Sequence, residues 1–493
     1  GTGTTGPVAG PAGGGGVGPG TPVKGGPCRA DGRMPIGTWP YAPPCAAPFS
    51  GNNGGATAPG VSKDAVTVVF YQAKAAATQA TGDVSNGSDQ HWERSIEAYE
   101  KWFNARYETY GRKVNFIRFK SDATATDDQA VRADAVRVAE EFKAFASVNG
   151  PSSFAYCDEL AARKVMCFST VGPSRELVAK HSPYIWSTLM IPEDSVDLRS
   201  EHICKRLNNR NAVWAGDPAY RTRKRTFAVV HIDLPNGQYQ KTGKYHQEVL
   251  AGCGVSAQLH FYTFDTGNIG TLQTQAISII DKLKKDEITT VLCNCDQIFP
   301  ISLTNEADRK PYNPEWLVNG SGLIDVDANA RLYSQNQWAH AFGVSVLPTQ
   351  APIQKIDSYK AYKSIEPNTE PVNVAGYMFA GMANLMSGIH MAGPTLNAKN
   401  VQAGLYAYPP SGGTPTHPAV AFGPPARHGS LADMQEVWWD PSATGFDGRP
   451  GAYRHVENGR RWKLGAWPSS DPRFFDQKDA PAYFDNPPDE AQL

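Results

Sequence analysis

A chain of 493 residues with a formal net charge of -1 is too long for one hydrophobic core and too evenly charged to suggest a polyanionic partner. Hydrophobic residues make up 41% of the chain, and no run approaches the roughly 18 apolar residues that a membrane span needs. We therefore expect two or three domains, no nucleic-acid binding and no membrane span. The one basic run, YRTRKRTF, is typical of a solvated loop.

The chain begins with a tract that is rich in Gly, Pro and Thr, GTGTTGPVAGPAGGGGVGPGTPVKGGP. Such a composition cannot bury a core, so we expect residues 1 to about 25 to be a dispensable tether. Gly13, Gly15 and Gly18 have the spacing of a dinucleotide fingerprint. Because neither a strand nor a helix is predicted on either side, we interpret this match as compositional and expect no cofactor.

The eight cysteines indicate an oxidising compartment, because their number is even and most have a near neighbour. We predict the following disulfides: Cys28 with Cys45, Cys157 with Cys167, and Cys204 with Cys253. For Cys293 and Cys295 the pattern favours a disulfide or two buried thiols. A metal site with a partner such as His231 is disfavoured, since no second Cys/His pair has zinc spacing.

Strands and helices alternate through the first part of the chain. Predicted strands cover residues 66–73, 113–119 and 165–170, and predicted helices cover residues 91–107, 127–145 and 154–164. This alternation predicts a parallel sheet with helices on its faces.

A second unit with the same rhythm follows. Its predicted strands cover residues 226–233, 258–264 and 289–296, its clearest helix covers residues 272–287, and two more helices lie within residues 371–404. Two successive α/β units predict two lobes with a cleft between them. We divide the chain into a tether with a Cys-bracketed segment (1–60), a first lobe (61–186), a second lobe (187–347), helices that return to the first lobe (348–410), and a Pro/Trp-rich C-terminal extension (411–493).

Several segments carry a family resemblance in their order along the chain: GVSKDAVTVVF, VMCFSTVGPSREL, SPYIWSTLMIPEDS, FAVVHID with PNGQY, QAISIIDKLKKDEITTVLCNCD and VAGYMFAGMANLM. Over residues 60 to 405 the chain resembles the type I periplasmic-binding-protein family. It is most similar to branched-chain amino-acid-type substrate-binding proteins of ABC transporters, in an extended actinobacterial form.

The resemblance implies a two-lobed α/β fold without enzymatic activity or cofactor. It implies extracytoplasmic capture of an amino-acid-like or other small polar solute, which is then passed to an ABC permease. The N-terminal tether fits an exported lipoprotein whose lipidated cysteine would precede Gly1. The expected hinges are residues 187–191 and 347–352.

The resemblance also implies ligand contacts at named positions of this chain. The matching positions are Ser152, Ser153 and residues 171–174 in the first lobe, and residues 236–239 and Asp296 in the second. The ligand contacts that we expect among them are Ser152, Ser153, Gly172, Ser174, Tyr239 and Asp296. Hydroxyl groups and backbone N–H groups at helix starts are donors suited to an anion. Three of these positions also have a structural interpretation, because Ser152 and Ser153 could be helix caps and Tyr239 a half-buried helix residue, whereas the end of a strand favours a site role for Asp296.

This chain departs from the family pattern at one position. In that family an acidic side chain receives the ammonium group of the ligand. Gly322 falls near its position, so either Asp325 or Asp327 substitutes, or the ligand is not an amino acid. Pro173 also lacks the N–H group that its position would donate.

The sequence also bears on two other classes of function. An enzyme is disfavoured, because the sequence has no G-x-S-x-G, H-E-x-x-H or P-loop motif. A cell-surface interaction or scaffold protein that keeps the fold without a transport ligand is the alternative, and it draws support from the missing acid and from the C-terminal extension.

Overall fold

The computed structural model describes residues 16–74, 88–265, 268–320, 322–424 and 427–493. A short antiparallel ribbon, β1 (Pro22–Val23) and β2 (Gly26–Pro27), precedes the first lobe. The strands of the first sheet are β3 (Ala65–Lys74), β4 (Lys113–Thr124), β5 (Ala146–Gly150), β6 (Met166–Ser169) and β7 (Ile185–Ser187). They are all parallel, in the order β4-β3-β5-β6-β7. The sheet is covered on both faces, which explains continuous apolar runs such as VVFY in β3.

Helices connect these strands and cover the sheet. They are α1 (Asp89–Arg106), α2 (Asp128–Glu140), α3 (Phe154–Ala162) and α4 (Arg175–His181). Each begins at a side chain that accepts a hydrogen bond from the first turn: Ser88, Asp127, Ser153 and Ser174, respectively. Such N-caps fix where each helix begins, and therefore where its free N–H groups point.

The second sheet repeats this topology and then extends it. Its parallel strands are β8 (Phe227–Asp233), β9 (Ala257–Thr263), β10 (Thr290–Asn294), β11 (Glu315–Asn319) and β12 (Ala341–Ser345). Their order, β9-β8-β10-β11-β12, matches that of the first sheet. The antiparallel strands β13 (Asp433–Thr444), β14 (Pro450–His455) and β15 (Arg461–Lys463) are added beyond β12.

The helices of the second lobe pack against this sheet and against each other. They are α5 (Pro192–His202), α6 (Pro218–Arg221), α7 (Gln240–Gly252), α8 (Thr271–Lys285), α9 (Phe299–Arg309), α10 (Asp327–Ala330) and α11 (Gln335–Trp338). A π-helical turn, Ile203–Leu207, continues α5, which packs on α7. None of the helices in the described part of the chain combines the length and apolarity needed to cross a bilayer.

The chain then returns to the first lobe before it completes the second sheet. The returning helices are α12 (Asp357–Lys363), α13 (Ala375–Ala392) and α14 (Ala398–Ala407), of which α13 packs on α1, β5 and β6. A single 3-10 turn, Ile353–Lys355, precedes them, and a short helix α15 (Val456–Gly459) lies between β14 and β15. Residues 188–191, 346–356 and 408–432 are thus the segments that connect the two lobes.

The N-terminal segment is part of the first lobe from residue 16 onwards. Trp39 is 2% exposed and packs against Trp102 and Phe379. The ammonium group of Lys24 donates to the carbonyl oxygens of Asn104 and Tyr107, at 2.6 and 2.9 Å. The prediction of a tether is therefore wrong for residues 16 to 25, while residues 1–15 lie outside the described residues.

The strand β5 was missed by the sequence analysis. The predicted helix over residues 127–145 ends at Glu140, and residues 146–150 form a strand in the sheet between β3 and β6. The segment ASVNG has only two apolar side chains, and it follows the helix without a glycine or proline break. The segment is buried because strands lie on both sides of it, and the sequence of these five residues alone does not indicate a strand.

The C-terminal residues extend the second lobe. Trp438 and Trp439 in β13 are buried, and the end of the chain returns to the first lobe, where the carbonyl oxygen of Gln492 accepts from the Thr38 N–H group at 2.9 Å. The Pro/Trp-rich composition therefore belongs to a segment that packs on both lobes.

All eight cysteines are paired. The structure contains the expected disulfides and a further one that joins the two cysteines of the C-x-C pair: Cys28 with Cys45, Cys157 with Cys167, Cys204 with Cys253, and Cys293 with Cys295. The last pairing decides between the two alternatives left open for Cys293 and Cys295 in favour of the disulfide.

His417 forms a charged contact that ties the C-terminal tail to α12. Its ring nitrogens lie 2.9 Å from the Asp357 carboxylate and 3.2 Å from that of Asp489. Burial alone would lower the pKa of His417, but hydrogen bonds with the two carboxylates outweigh it and raise the pKa to about 9. The folded protein therefore binds this proton more tightly than the unfolded chain.

We expect this contact to make stability depend on pH. The stabilisation should be fully present below about pH 6.5, the ordinary histidine pKa, and should be lost as the pH rises through 9. Its free energy should fall by at most about 1.4 kcal/mol per pH unit in that window. The melting temperature of His417→Gln should be well below that of the wild type at pH 6, and the difference should shrink by pH 9. A difference that stays constant with pH would contradict this assignment.

Candidate functional site

The carboxyl ends of the parallel strands in both sheets are the places where ligands collect in folds of this class. In the first lobe the loops at this edge follow β5 and β6. In the second lobe the corresponding loop, residues 234–239, joins β8 to α7. These loops meet between the lobes.

A cavity of about 370 Å³ lies where the loops meet. Its first-lobe wall is formed by the starts of α2, α3 and α4, with Asp128, Phe154 and Ser174 at those positions. Its second-lobe wall is formed by Gln238 and its neighbours in the loop and by Lys241 in α7. The volume is in the range of pockets that hold small molecules.

The side-chain amide of Gln238 bridges the two lobes beside this cavity. Its nitrogen donates to the Ser152 carbonyl oxygen at 3.0 Å, and its oxygen accepts from the Phe154 N–H group at 3.2 Å. Phe154 is the first residue of α3, so its N–H group is one of the free donors of that helix. A second-lobe side chain thus occupies a free N–H donor at the start of a first-lobe helix.

Further contacts flank this bridge. The Asn236 amide donates to both carboxylate oxygens of Asp128, at 3.0 and 2.8 Å. The ring of Tyr239 meets that of Phe154 edge to face, with centroids 5.5 Å apart, and burial raises the pKa of Tyr239 to about 12. Together these contacts hold the loop of residues 234–239 against α3.

Ion pairs join the lobes at the rim of the cavity. Lys241 contacts Glu176 at 2.7 Å, but both side chains are well exposed, so the pair contributes little. Arg175, at the start of α4, contacts Asp194 and Asp197 in α5 at 2.7 and 2.9 Å. The latter contacts are half-buried and hold α4 close to the second lobe.

Ser153 and Ser174 are helix caps beside the cavity. The Ser153 hydroxyl accepts from the Ala155 N–H group at 3.2 Å and donates to Asp128 at 2.5 Å. The Ser174 hydroxyl accepts from the Leu177 N–H group at 3.3 Å. Both hydroxyl oxygens therefore orient the helix starts, and of the sequence-predicted residues only Ser174 itself lines the cavity.

Gly172 lies against the segment in which the chain crosses from the first lobe to the second. A Cβ atom at this position would lie 2.8 Å from the Met190 carbonyl oxygen and 2.8 Å from the Ile191 Cα atom. The segment after β7 can approach only because the side chain is absent. Gly172 does not line the cavity.

Asp296 is also outside the cavity, and its carboxylate is used by the fold. One oxygen accepts from the Tyr262 hydroxyl at 2.6 Å, and the other accepts from the N–H groups of Ile298 and Phe299 at the start of α9. Burial raises the pKa of Asp296, and these hydrogen bonds oppose that shift. The structure therefore gives Asp296 a capping role, in contrast to the ligand contact expected from sequence.

The two aspartates proposed to replace the missing acid have different surroundings. Asp325 accepts from the Ser345 hydroxyl at 2.5 Å, and burial raises its pKa to about 6. The pKa of Tyr377, on first-lobe helix α13, is raised to about 12, mainly by burial and secondarily by the negative charge of Asp325. Asp327 instead accepts from the Tyr453 N–H group in β14, at 2.9 Å. Neither aspartate lines the cavity between the lobes.

Gly322 could not carry an acidic side chain in this backbone. Its φ is +64°, and a Cβ atom would lie 1.9 Å from the Cys295 carbonyl oxygen. The local backbone therefore explains why this chain has glycine and not an acidic residue at position 322.

The residues that sequence reasoning missed are Asp128 and Phe154, and within residues 236–239 it selected Tyr239 in place of Gln238. Gln238 lies inside the loop that the resemblance marked, PNGQY, but nothing in the sequence separates it from its neighbours. Asp128 follows the predicted start of a helix, where an acidic residue is ordinary.

Comparison with known proteins gives structural matches only. No family model and no curated protein sequence matches the chain. An ABC transporter substrate-binding protein from Aeropyrum pernix has a TM-score of 0.56 and 12% identity, over 81% of this chain and 96% of that one. The branched-chain amino acid transporter substrate-binding protein of Streptococcus pneumoniae, in complex with isoleucine, has a TM-score of 0.53 and 13% identity, over 80% and 99%. A fatty acid ABC transporter substrate-binding protein from Thermomonospora curvata has a TM-score of 0.53 and 12% identity, over 86% and 97%.

The two sheets share one strand order, β4-β3-β5-β6-β7 in the first lobe and β9-β8-β10-β11-β12 in the second. The matches cover nearly the full length of each known protein and 80 to 86% of this chain. The chain therefore has the two-lobed fold of the type I periplasmic binding proteins of ABC transporters.

Proposed function

We propose that this chain is an extracytoplasmic solute-binding protein, not an enzyme, that captures a small polar ligand between its lobes and delivers it to an ABC permease. The observation that carries the proposal is the cavity of about 370 Å³, where the starts of three first-lobe helices face the loop after β8. Structural neighbours that bind isoleucine or belong to fatty acid transporters support it. The four disulfides support an oxidising compartment outside the cytoplasm.

The walls of the cavity favour a ligand with both acceptor and donor groups. Acidic and basic side chains face it together: Asp128, Asp158, Glu176, Arg132, Lys180 and Lys241. The N–H group of Phe154 at the start of α3 is suited to a carboxylate or another acceptor. We place the ligand beside Ser152, Ser153, Ser174 and Tyr239, and away from Gly172 and Asp296.

The contact made by Gln238 favours a second candidate function. Because the amide already satisfies the donor of α3, the lobes close on each other through protein contacts alone. A cell-surface interaction or scaffold protein would need nothing more. The two functions differ in whether a small molecule stabilises the chain.

Filling the cavity should abolish ligand binding. In a thermal-shift screen of amino acids, small carboxylates, amides and aromatic acids, a ligand at a hundred times its Kd should stabilise the wild type by about 2.7 kcal/mol. Leu177→Trp places an indole in the cavity and should remove the shift, whereas Leu332→Trp changes an exposed leucine elsewhere and should retain it.

Native mass spectrometry of the untreated protein tests independently whether a small molecule is bound in the cavity. A stoichiometric small molecule that is lost from Leu177→Trp is the expected result. If no compound shifts the wild type and no bound molecule is found, the scaffold function replaces the transport function.

Removing the Gln238 side chain should strengthen ligand binding. The ligand must displace this amide from the Phe154 N–H group, and one hydrogen bond contributes about 0.5 to 1.5 kcal/mol, so the Kd of Gln238→Ala should fall by about two- to tenfold. Gln240→Ala, which truncates an exposed glutamine in the same segment, should leave the Kd unchanged. Isothermal titration with the ligand from the screen measures both values. Weaker binding by Gln238→Ala would show that the amide contacts the ligand and does not compete with it.

A further inference from the structure

Five of the six charged side chains that line the cavity between the lobes contact a side chain of opposite charge. Glu176 contacts Lys241 at 2.7 Å. Asp158 contacts Lys180 at 3.0 Å and Arg132 at 3.2 Å. The charges of these five side chains are therefore matched within the protein.

Asp128, at the start of α2, is the sixth charged side chain, and its partners are neutral. Its carboxylate accepts hydrogen bonds from the Ser153 hydroxyl at 2.5 Å and from the Asn236 amide at 3.0 and 2.8 Å. Within the described ranges of the chain, no Lys, Arg or His nitrogen lies within 4.0 Å of this carboxylate. Asp128 is thus the one charge on the described walls of the cavity that lacks a charged partner.

The hydrogen bonds of Asp128 hold its carboxylate in place and leave part of it free. Ser153 belongs to the first lobe and Asn236 to the second, so the carboxylate is fixed where the lobes meet. An ionised carboxylate offers about four acceptor positions. The Oδ2 atom of Asp128 accepts only the bond from Asn236, so it retains a position for another donor.

We propose that the carboxylate of Asp128 receives the ammonium group of the ligand, and that the solute is therefore a small organic amine in its charged form. An ammonium group supplies both N–H donors and the positive charge that the walls leave unmatched. This inference rests on the proposed solute-binding function and names its substrate class. In this chain the first lobe thus provides the acid that the backbone excludes at Gly322 in the second lobe.

An anion without an amine fits these walls less well. It would add a second negative charge beside Asp128, and like charges repel. The cations that could receive it, Arg132, Lys180 and Lys241, already contact carboxylates. The arrangement of charges therefore selects for the ammonium group.

The first test compares compounds of similar size that differ in the ammonium group. The pairs are leucine with isocaproate, alaninamide with propanamide, and butylamine with butanol. In a thermal-shift screen at equal concentrations, compounds with the ammonium group should stabilise the wild type, and their partners without it should not.

Isothermal titration with the best ammonium compound then measures the contribution of Asp128. Asp128→Asn keeps the shape of the side chain and removes its charge, so the Kd should rise by about 10- to 100-fold. Asp127→Asn removes the neighbouring, exposed charge, keeps an N-cap oxygen and lies outside the cavity, so its Kd should stay within about twofold of the wild type.

Asn236→Ala separates the charge of Asp128 from its contact with the second-lobe loop. This variant removes the same interlobe hydrogen bonds but keeps the carboxylate and frees further acceptor positions on it. It should bind the ammonium compound at least as tightly as the wild type. An equal loss of affinity in Asn236→Ala and Asp128→Asn would show that Asp128 only holds the loop, and would overturn the inference.

Two further results would also overturn it and leave the solute-binding function intact. One is equal stabilisation of the wild type by the compounds that lack the ammonium group. The other is an unchanged Kd in Asp128→Asn. A screen in which no compound stabilises the wild type would instead contradict the solute-binding function, and this inference with it.

Discussion

The side-chain amide of Gln238 is the central contact between the two lobes at the cavity. This one group satisfies both the Ser152 carbonyl oxygen and the Phe154 N–H group across the cleft. Each such hydrogen bond contributes about 1 kcal/mol, so the contribution of Gln238 to closure without ligand is a modest free energy. A ligand can shift the equilibrium only if it contacts both lobes better than the amide does. The loop after β8 is therefore the part of the cleft at which the two proposed functions differ.

The C-terminal segment adds connections that must bend when the two lobes move apart. In addition to the expected crossings near residues 187–191 and 347–352, residues 408–432 connect the lobes, and the end of the chain contacts the first lobe again. The ion pairs of His417 link this segment to α12 and to the tail. Relative motion of the lobes must bend all of these connections, so the extension restricts opening of the cleft.

Much of the fold could be predicted from the sequence, because strands such as β3 and β8 are long apolar runs and the helices between them are amphipathic. The strand β5 could not, since its short segment is defined by neighbours on both sides in the sheet. The site was predicted less well. Ser153 and Ser174 were located correctly at helix starts, but the role of Asp296 depends on Tyr262, a partner 34 residues away in the chain. The bridge made by Gln238 joins residues 84 or more positions apart, and no local pattern reports such a contact.

The closure by Gln238 can be tested directly by measuring the distance between the lobes in the ligand-free protein. Because all eight native cysteines are paired, Lys101→Cys in α1 and Lys285→Cys in α8 would provide unique exposed thiols for spin labels. Pulsed dipolar spectroscopy should give one narrow distance distribution in this background. Adding Asn236→Ala and Gln238→Ala should shift the distribution to longer distances and broaden it. An unchanged distribution in the fourfold variant would contradict the claim that these two amides hold the lobes together.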